Sequence, residues 1–247
     1  MRRGGVRPEQ RIAALGFSEE DTATLTAHFV DAESRGKLGH GLSRIDWLET
    51  LTDLKPDARP QRLHTDPGYE RWDGNGALGY LTLTAICDAQ LADPPKHARV
   101  VVASSCFPTG ALGWYTRRLA ENGLVAALTA TSPARLAHPD GGEPLAGTNP
   151  IAIAIPSSDG KPLVADVSMG AVTHGDVLRG DAAPEELVPF GGEKAHKAFA
   201  LALGLDLFVG ALAGDGYGAL LVVAPPEADP VPALRARAAG LRLPGDS

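Results

Sequence analysis

Hydrophobic residues in the first part of the chain recur every three or four positions, which is the spacing of amphipathic helices. Proline favours a first helical turn and glycine a helix end, so Pro8 and Gly16 bound a first short helix. Ser18 is placed to cap a second helix. The pattern predicts helices over about 8–16, 18–36 and 43–54, followed by two prolines. Residues 1–56 are therefore expected to form an N-terminal helical segment.

From residue 57 onward, helical spacing alternates with short β-branched runs. Helices are predicted over 77–92, 111–122, 194–212 and 231–240, and strands over 98–104, 124–130, 151–156, 162–167 and 217–224. Asp159-Gly160 predicts a tight hairpin between two of these strands, so the sheet should contain an antiparallel pair. The polar residues 68–73 are not predicted to form a buried strand. The prediction is an α/β fold in which a mixed α/β domain over 57–247 forms one compact unit with the helical segment.

Composition narrows the possible functions. The 247 residues carry a formal charge of -7, and the absence of a basic cluster disfavours nucleic-acid binding. Two cysteines without a CxxC pair exclude a disulfide framework and a cysteine zinc site, and no histidine pair has metal-ligand spacing. Neither a signal peptide nor an uninterrupted apolar run of ~18 residues is present, which predicts a cytosolic protein without a membrane partner.

A glycine motif, Gly74-x-Gly76-x-x-Gly79, has the spacing of a dinucleotide-binding turn. Such a turn requires a buried strand before it and an acidic strand end downstream. Because neither is predicted, we interpret the motif as a turn that leads into a helix, and the fold as not Rossmann.

Two residues at the predicted start of the third helix are candidates for chemistry. His40 and Arg44 are four positions apart and can share one helical face. An arginine can bind a carboxylate through two parallel hydrogen bonds, and a histidine can exchange a proton beside it. The alternative is a helix entry with an exposed imidazole and a surface arginine, which the spacing alone favours.

Other candidates lie in turns and loops. Cys106 lies between a strand and a helix, where it is either a nucleophile or a small buried residue. The long loop over 129–150 contains hydroxyl and amide groups that can hold phosphate or ribose oxygens. Lys194 begins a helix and is either an anion ligand or a solvated lysine. Asp166, at a strand end, is either structural or orients a catalytic imidazole.

In their order along the chain, these motifs are similar to those of the type 2 malate/L-lactate dehydrogenase family. They are G-H-G-x-x-R, D-G-x-G-x-x-G, S-x-x-F-x-x-G, T-x-T-S-P, G-T-N-P, G-G-x-K and L-P-G-D, from about residue 10 to the end. The resemblance implies a fold that binds NADH or NADPH without a Rossmann domain, reduces 2-oxo or cyclic 2-imino acids, and usually forms homodimers.

The resemblance also implies roles for individual residues. His40 and Arg44 would face the nicotinamide and the substrate carboxylate. The cofactor loop would contain Ser132, Thr148, Asn149 and Pro150, and Asp166 and Lys194 match retained polar positions. The family turn S-N-H-F-G carries an acid/base histidine, for which we assign Cys106 as the counterpart here.

The expected function is NADPH- or NADH-dependent reduction of a small 2-imino or 2-oxo carboxylate, as part of a biosynthetic pathway. An imine is favoured because a protonated imine needs less help from an acid than a ketone does. Two alternatives stay open. One is non-redox chemistry, such as cyclisation, hydration or lyase chemistry, in the same pocket. The other is an inactive homologue that stabilises a partner subunit.

Overall fold

A computed structural model describes residues 6–245, which form eight α-helices and one seven-stranded sheet. The helices are α1 (Pro8–Ala13), α2 (Glu19–Ser34), α3 (Ser43–Leu48), α4 (Gly79–Ala92), α5 (Gly113–Glu121), α6 (His174–Arg179), α7 (Ala195–Ala213) and α8 (Val231–Arg237). The strands are β1 (Gln61–Thr65), β2 (Tyr69–Asp73), β3 (Arg99–Ser104), β4 (Val125–Ala130), β5 (Ile151–Ile155), β6 (Leu163–Val167) and β7 (Ala219–Ala224).

The strand order is β1-β2-β3-β7-β4-β5-β6. Only the β2–β3 pair is parallel among the described strands, and helix α4 makes the crossover between them. The hairpin of β5 and β6 is antiparallel, with Ile151 opposite Val167. The predicted mixed α/β fold is therefore confirmed.

Most predicted elements are present near their predicted bounds. Ser18 caps α2 by accepting a hydrogen bond from the Asp21 amide at 3.1 Å, as expected. Helix α3 ends six residues earlier than predicted. The chain there tightens to hydrogen bonds between residues three apart, from Thr50 N to Trp47 O and from Leu51 N to Leu48 O, a common helix end.

The interpretation of residues 68–73 was wrong, because this stretch contains strand β2 beside β3. Its polar residue Glu70 is buried, with 1% of its surface exposed. The Glu70 carboxylate accepts hydrogen bonds from Trp72 Nε1 at 2.8 Å and from Arg99 Nη1 at 3.3 Å. A buried carboxylate with charged and neutral donors costs far less than an unpaired one, so a polar sequence can occupy an inner strand.

Two apolar clusters place the N-terminal helices beside the sheet. The larger cluster packs α4 and α5 on one sheet face and includes Leu83, Tyr115 and Leu128. The second joins α1, α2 and α3 to the first turn of α4, through residues such as Phe29 and Tyr80. These contacts hold the start of α3 next to the loops that follow the sheet strands.

Helix α7 lies against β3, β4 and β7 on the other sheet face. Apart from Phe199 its buried side chains are small, and four large apolar side chains remain exposed: Leu201 (56%), Leu207 (65%), Phe208 (53%) and Leu212 (39%). By length and composition, the segment Gly192–Ala213 could cross a membrane, and 28% of its apolar window is buried. The absence of a membrane partner therefore stays a prediction, and α7 presents an uncovered apolar face, defined by these four residues.

Candidate functional site

A cavity of about 150 Å³ lies between the N-terminal helices and the loops of the sheet domain. Its wall comes from the stretches 39–47, 107–110, 132–135, 148–150 and 173–175, with Tyr80 and Ser168. We call it the cleft. A second cavity of about 240 Å³ adjoins it, and His40 lines both. Sequence segments more than 130 residues apart thus meet at one place, as the motif order predicts for a single site.

His40 lies at the end of a 3-10 turn over 38–40, immediately before α3. This turn contacts α6 through two glycines, since a Cβ on Gly175 would overlap the backbone of Gly39. The close contact brings His40 and His174, the first residue of α6, into the same wall.

Arg44 is buried, with 9% of its surface exposed, and its Nε has no hydrogen-bond partner. The guanidinium lies 4.1 Å from the centre of the Trp47 ring, so the cation stacks on an aromatic face. The buried Tyr80 hydroxyl also lies near Arg44, whose charge opposes the burial that raises the pKa of Tyr80. No carboxylate pairs with Arg44 in the described part of the chain.

Burial is the main reason that the pKa of His40 is lowered, the positive charges of Arg44 and Lys37 act in the same direction, and the resulting pKa is about 4. The negative charges of Asp166 and Asp176 raise the pKa of His40, but they do not offset the lowering by burial and by the cations. His40 is therefore neutral near pH 7, when it can donate or accept one hydrogen bond but is not a ready acid.

Asp166 lines the second cavity, where it accepts a hydrogen bond from Lys37 Nζ in a part-buried ion pair. Its charge reaches His40, although the described contacts do not include a hydrogen bond between the two side chains. The role of Asp166 in orienting an imidazole therefore stays a prediction. Lys37, which the sequence reasoning missed, is its direct partner.

The loop over 129–150 is ordered by a bridge between Leu136 and Ala146. Ser132, Thr148 and Pro150 line the cleft, as predicted for the cofactor loop. Arg135, which was not predicted, lines the cleft with them. Burial lowers the pKa of Arg135, and the charge of Arg44 lowers it further. A lone arginine in a candidate binding loop was the sequence signal that could have identified it.

Asn149, a predicted cofactor ligand, is fully buried. Its Oδ1 accepts a hydrogen bond from Ser132 N at 3.1 Å, and its Nδ2 donates to Ala202 O at 2.9 Å and to Asp206 Oδ1 at 3.1 Å. The amide thus ties both ends of the loop to helix α7, and its visible role is to hold the cleft wall in shape.

Cys106 is fully buried in the apolar core and does not line the cleft. Burial raises the pKa of its thiol to about 12, so the thiolate is scarce near neutral pH. The cleft residues of this turn are Phe107 to Gly110. If the glycine of the family turn S-N-H-F-G is set on Gly110, its histidine falls on Pro108 rather than on Cys106. The turn contributes no imidazole to the cleft.

Lys194 is exposed at the start of α7 and does not line the cleft. Its neighbour His196 is also exposed. The structure therefore does not bring either residue next to His40 and Arg44.

The glycine motif does follow a strand, β2, contrary to the reasoning from sequence. However, two of its glycines, Gly74 and Gly79, are packed against protein backbone. A Cβ on Gly79 would lie 2.7 Å from Pro108 O and 2.9 Å from Phe107 N, and a Cβ on Gly74 would overlap Ser105 O. Because the turn over 105–108 fills this space, the interpretation of the motif as a turn that leads into a helix is retained.

The cleft is cationic although the chain is acidic overall. Among the described residues that line it are two arginines, but neither aspartate nor glutamate. The described residues contain no His/Cys/Asp/Glu cluster that could hold a metal ion. Such a site can bind a small anion next to an aromatic surface and hydroxyl groups.

Comparison with known proteins gives the family. The sequence model of malate/L-lactate dehydrogenase matches residues 8–187. The chain is 29% identical over 231 residues to the Delta(1)-pyrroline-2-carboxylate/Delta(1)-piperideine-2-carboxylate reductase of Pseudomonas putida, covering 82% of the chain and 67% of that protein. It is 28% identical over 234 residues to the (2R)-3-sulfolactate dehydrogenase (NADP(+)) of Chromohalobacter salexigens, covering 84% and 69%.

Comparison with solved structures gives the same fold as that of the family. The crystal structure of delta1-piperideine-2-carboxylate reductase from Pseudomonas syringae superposes with a TM-score of 0.81 at 24% identity, covering 97% of this chain and 88% of that one. The chain spans about two thirds of the length of the two relatives in sequence. With a family match over most of its residues and a cleft built from the family's motifs, the chain belongs to the malate/L-lactate dehydrogenase family of oxidoreductases.

Proposed function

We propose that this protein is a cytosolic NADPH- or NADH-dependent reductase of small 2-imino or 2-oxo carboxylates. The observation that carries the proposal is Arg44, a buried guanidinium without a carboxylate partner, in a cleft without an acidic lining residue among those described.

Burying a charged group without a partner is unfavourable, because protein hydrogen bonds then fail to replace those to water. A substrate carboxylate would supply the missing partner through two parallel hydrogen bonds to Arg44. Trp47 stacks on the guanidinium and limits its rotation, which keeps the N–H groups of Arg44 in position for the substrate carboxylate. This contact supports Arg44 as the carboxylate-binding residue.

The relatives support the reaction class. One of the two relatives is a reductase of cyclic 2-imino carboxylates, and the other is a dehydrogenase of a 2-hydroxy acid. Both compounds carry a carboxylate next to the carbon that exchanges hydride, and this arrangement suits an arginine close to His40.

The residues present fit a reduced nicotinamide cofactor. Ser132 and Thr148 offer hydroxyl groups on the cleft wall, while Tyr80 and Trp47 offer aromatic surface. Bound NADPH or NADH would supply the hydride. The chain itself would bind the substrate anion through Arg44 and exclude water with its apolar wall residues, such as Phe107 and Pro150.

The state of His40 favours an imine over a ketone. With a pKa of about 4, its imidazole is neutral in the free protein and cannot readily give a proton to a ketone oxygen. A protonated imine already carries its proton and accepts hydride directly. His40 can then hold the substrate nitrogen by a hydrogen bond without changing its own charge.

Titration calorimetry with NADPH and with NADH tests cofactor binding first. We expect binding at micromolar concentrations to at least one of the two, and cofactor consumption with Δ1-piperideine-2-carboxylate that exceeds consumption with pyruvate. Absence of heat with both cofactors would overturn the reductase proposal. Turnover that does not depend on cofactor would instead favour non-redox chemistry, and co-purification with a partner without turnover would favour an inactive homologue.

The variant Arg44→Gln tests the role of the guanidinium. It should raise KM for a 2-imino carboxylate by roughly tenfold or more, because a charge-assisted pair is lost. KM for the matching carboxamide should change little. Equal effects on acid and amide would remove Arg44 from this role.

The exposed apolar face of α7 supports a homodimer. Four large apolar side chains are exposed along this one helix, and exposed apolar patches commonly mark association sites. A second copy of the chain is the partner that the family resemblance implies.

A further inference from the structure

The described wall of the cleft contains two imidazoles, those of His40 and His174. The turn over 107–110 adds none, and Cys106 lies in the core. Tyr80 also lines the cleft, but burial raises the pKa of its hydroxyl and makes it a weaker acid than usual. Reduction of a ketone needs a proton for the new hydroxyl group. The two histidines are therefore the side chains of this wall that are suited to supply it.

The backbone at His174 is fixed on both sides. Thr173 and Asp176 form a capping box at the start of α6, with hydrogen bonds from Thr173 N to Asp176 Oδ2 at 2.8 Å and from Asp176 N to Thr173 Oγ1 at 3.2 Å. Gly175 packs so closely on the backbone of Gly39 that a Cβ would not fit. His174 is half-buried, and the contacts of the described residues do not include a hydrogen bond to its ring. The fold thus holds this imidazole in the wall with its nitrogens available to a ligand.

The protonation of His174 depends on whether the cleft holds an anion. Burial is the main reason that its pKa is lowered, and the charges of Arg135 and Arg44 act in the same direction. Both arginines line the cleft, and neither forms an ion pair with a carboxylate among the described residues. A substrate carboxylate has about four acceptor sites and can bind one or both guanidinium groups. Its negative charge then offsets the two cations and raises the affinity of the His174 imidazole for a proton.

The protein's own carboxylates near His174 are already bonded. The charged and titratable groups on α6 and on the elements packed against its start are Asp176, Arg179, Lys37, His40, Arg44, Asp46 and Arg135. Of the two acidic groups, Asp176 caps α6 and Asp46 pairs with Arg11 at 2.6 Å. A ligand in the cleft is therefore the anion that can change the charge balance at His174.

His40 differs from His174 in the cations around it. One of the two cations that lower its pKa is Lys37, which lines the second cavity but not the cleft and pairs with Asp166 there. An anion bound at Arg44 thus offsets one of the two cations at His40, whereas it lies among both of those at His174. Substrate binding favours protonation of His174 more than that of His40.

We propose that His174 is a catalytic residue, the proton donor that extends the activity of this protein from protonated imines to 2-oxo acids. The carbonyl carbon accepts hydride from the reduced nicotinamide, and the electron pair of the C=O π bond moves to the oxygen. That oxygen takes the proton of the His174 imidazolium, which gives a 2-hydroxy acid, oxidised nicotinamide and a neutral imidazole. Solvent then returns the proton to the half-buried ring. This inference rests on the proposed function and assigns its proton donor.

NMR of the His174 ring tests the inference without cofactor. The signal of its Cε1 proton, assigned by its loss in His174→Asn, reports protonation over the pH range in which an imidazole titrates. Saturating pyruvate should raise the pKa of His174, because its carboxylate adds a negative charge beside the arginines. Pyruvamide, the neutral amide of the same acid, should leave the pKa where it is. An unchanged pKa with pyruvate would overturn the inference.

Kinetics with two substrates separates a proton donor from a structural residue. His174→Asn keeps an N–H donor of similar size but cannot release a proton. It should lower kcat for pyruvate by roughly a hundredfold, and kcat for Δ1-piperideine-2-carboxylate and KM for both substrates by less than about threefold. Wild-type kcat for pyruvate should fall as the pH rises through the pKa of His174 in the complex, and the variant should lack this dependence. His97→Asn, at an exposed position outside the cleft, is the control and should keep both activities.

Two kinetic results would overturn the inference. One is an equal loss of kcat with both substrates in His174→Asn, which would make the residue structural. The other is a loss of pyruvate reduction in His40→Gln but not in His174→Asn, which would assign the proton to His40. Thermal unfolding of each variant shows whether it is folded, and His174→Gln replaces His174→Asn if the latter does not fold. Nicotinamide binding with an unresponsive His174 refutes this inference alone, whereas absence of nicotinamide binding refutes the reductase and this step together.

Discussion

His28 provides a quantitative test of the electrostatics beneath the cleft. It is 2% exposed, and its Nε2 accepts a hydrogen bond from Ala111 N at 3.2 Å, just after the turn that lines the cleft. Its Nδ1 has no hydrogen-bond partner. The centres of the Tyr80 and Trp114 rings lie 5.0 and 5.7 Å from the centre of the His28 ring. Burial is the main reason that its pKa is lowered to about 3.

The sign and size of the effect follow from the difference between folded and unfolded states. An unfolded histidine has a pKa of about 6.5, so between about pH 7 and pH 5 the unfolded chain gains about 0.7 proton at this position. Folded His28 remains neutral in that range. Stability is therefore retained above the unfolded pKa and is lost as the pH falls, by about 2 kcal/mol at pH 5 for this residue.

We expect the variant His28→Gln, which keeps an acceptor for Ala111 N, to lose about 2 kcal/mol less than the wild type when the pH falls from 7 to 5. Urea unfolding at both pH values measures this difference, and it cancels the contribution of carboxylates common to both proteins. His97→Gln, at an exposed position, is the control and should behave like the wild type. An identical pH dependence in His28→Gln and wild type would refute the assignment of His28 as a buried neutral group.

Three further predictions concern the cleft and its supports. Asn149→Ala should lower the free energy of unfolding in urea by roughly 2–4 kcal/mol, because it leaves buried partners without hydrogen bonds; a neutral result would show that the loop is held by other contacts. Lys37→Met should raise the pKa of His40, since it removes a cation and frees Asp166, and an unchanged imidazole titration by NMR would contradict this. Leu207→Glu should shift a dimer toward monomer in sedimentation velocity, whereas an unaltered mass distribution would exclude α7 from the interface.

The sequence predicted those elements whose pattern is local. Helix α4 is predominantly apolar, and the turn at Asp159-Gly160 specifies its hairpin without help from distant residues. Strand β2 could not be recognised in this way. Its buried carboxylate, Glu70, is tolerated because Arg99, 29 residues later, lies against it. A single-sequence pattern does not contain that partnership.

The motifs predicted which loops form the candidate site, but they did not predict the direction in which each side chain points. Ser132 and Thr148 were predicted and do line the cleft. Asn149, between Thr148 and Pro150, instead points into the protein, and this direction depends on helix α7. Arg135 was missed because the fold of its loop depends on tertiary contacts. In the turn before α5, Cys106 lies in the core, whereas Pro108, two residues later, lines the cleft.

Helix α7 has a different neighbour on each side. The Asn149 amide binds its backbone at Ala202 and its side chain at Asp206, while the next two residues, Leu207 and Phe208, are exposed. If a second subunit covers the outward face and shifts the helix, the loop that walls the cleft must shift with it. Self-association and ligand binding would then be thermodynamically linked, and the apparent affinity for a ligand would vary with protein concentration.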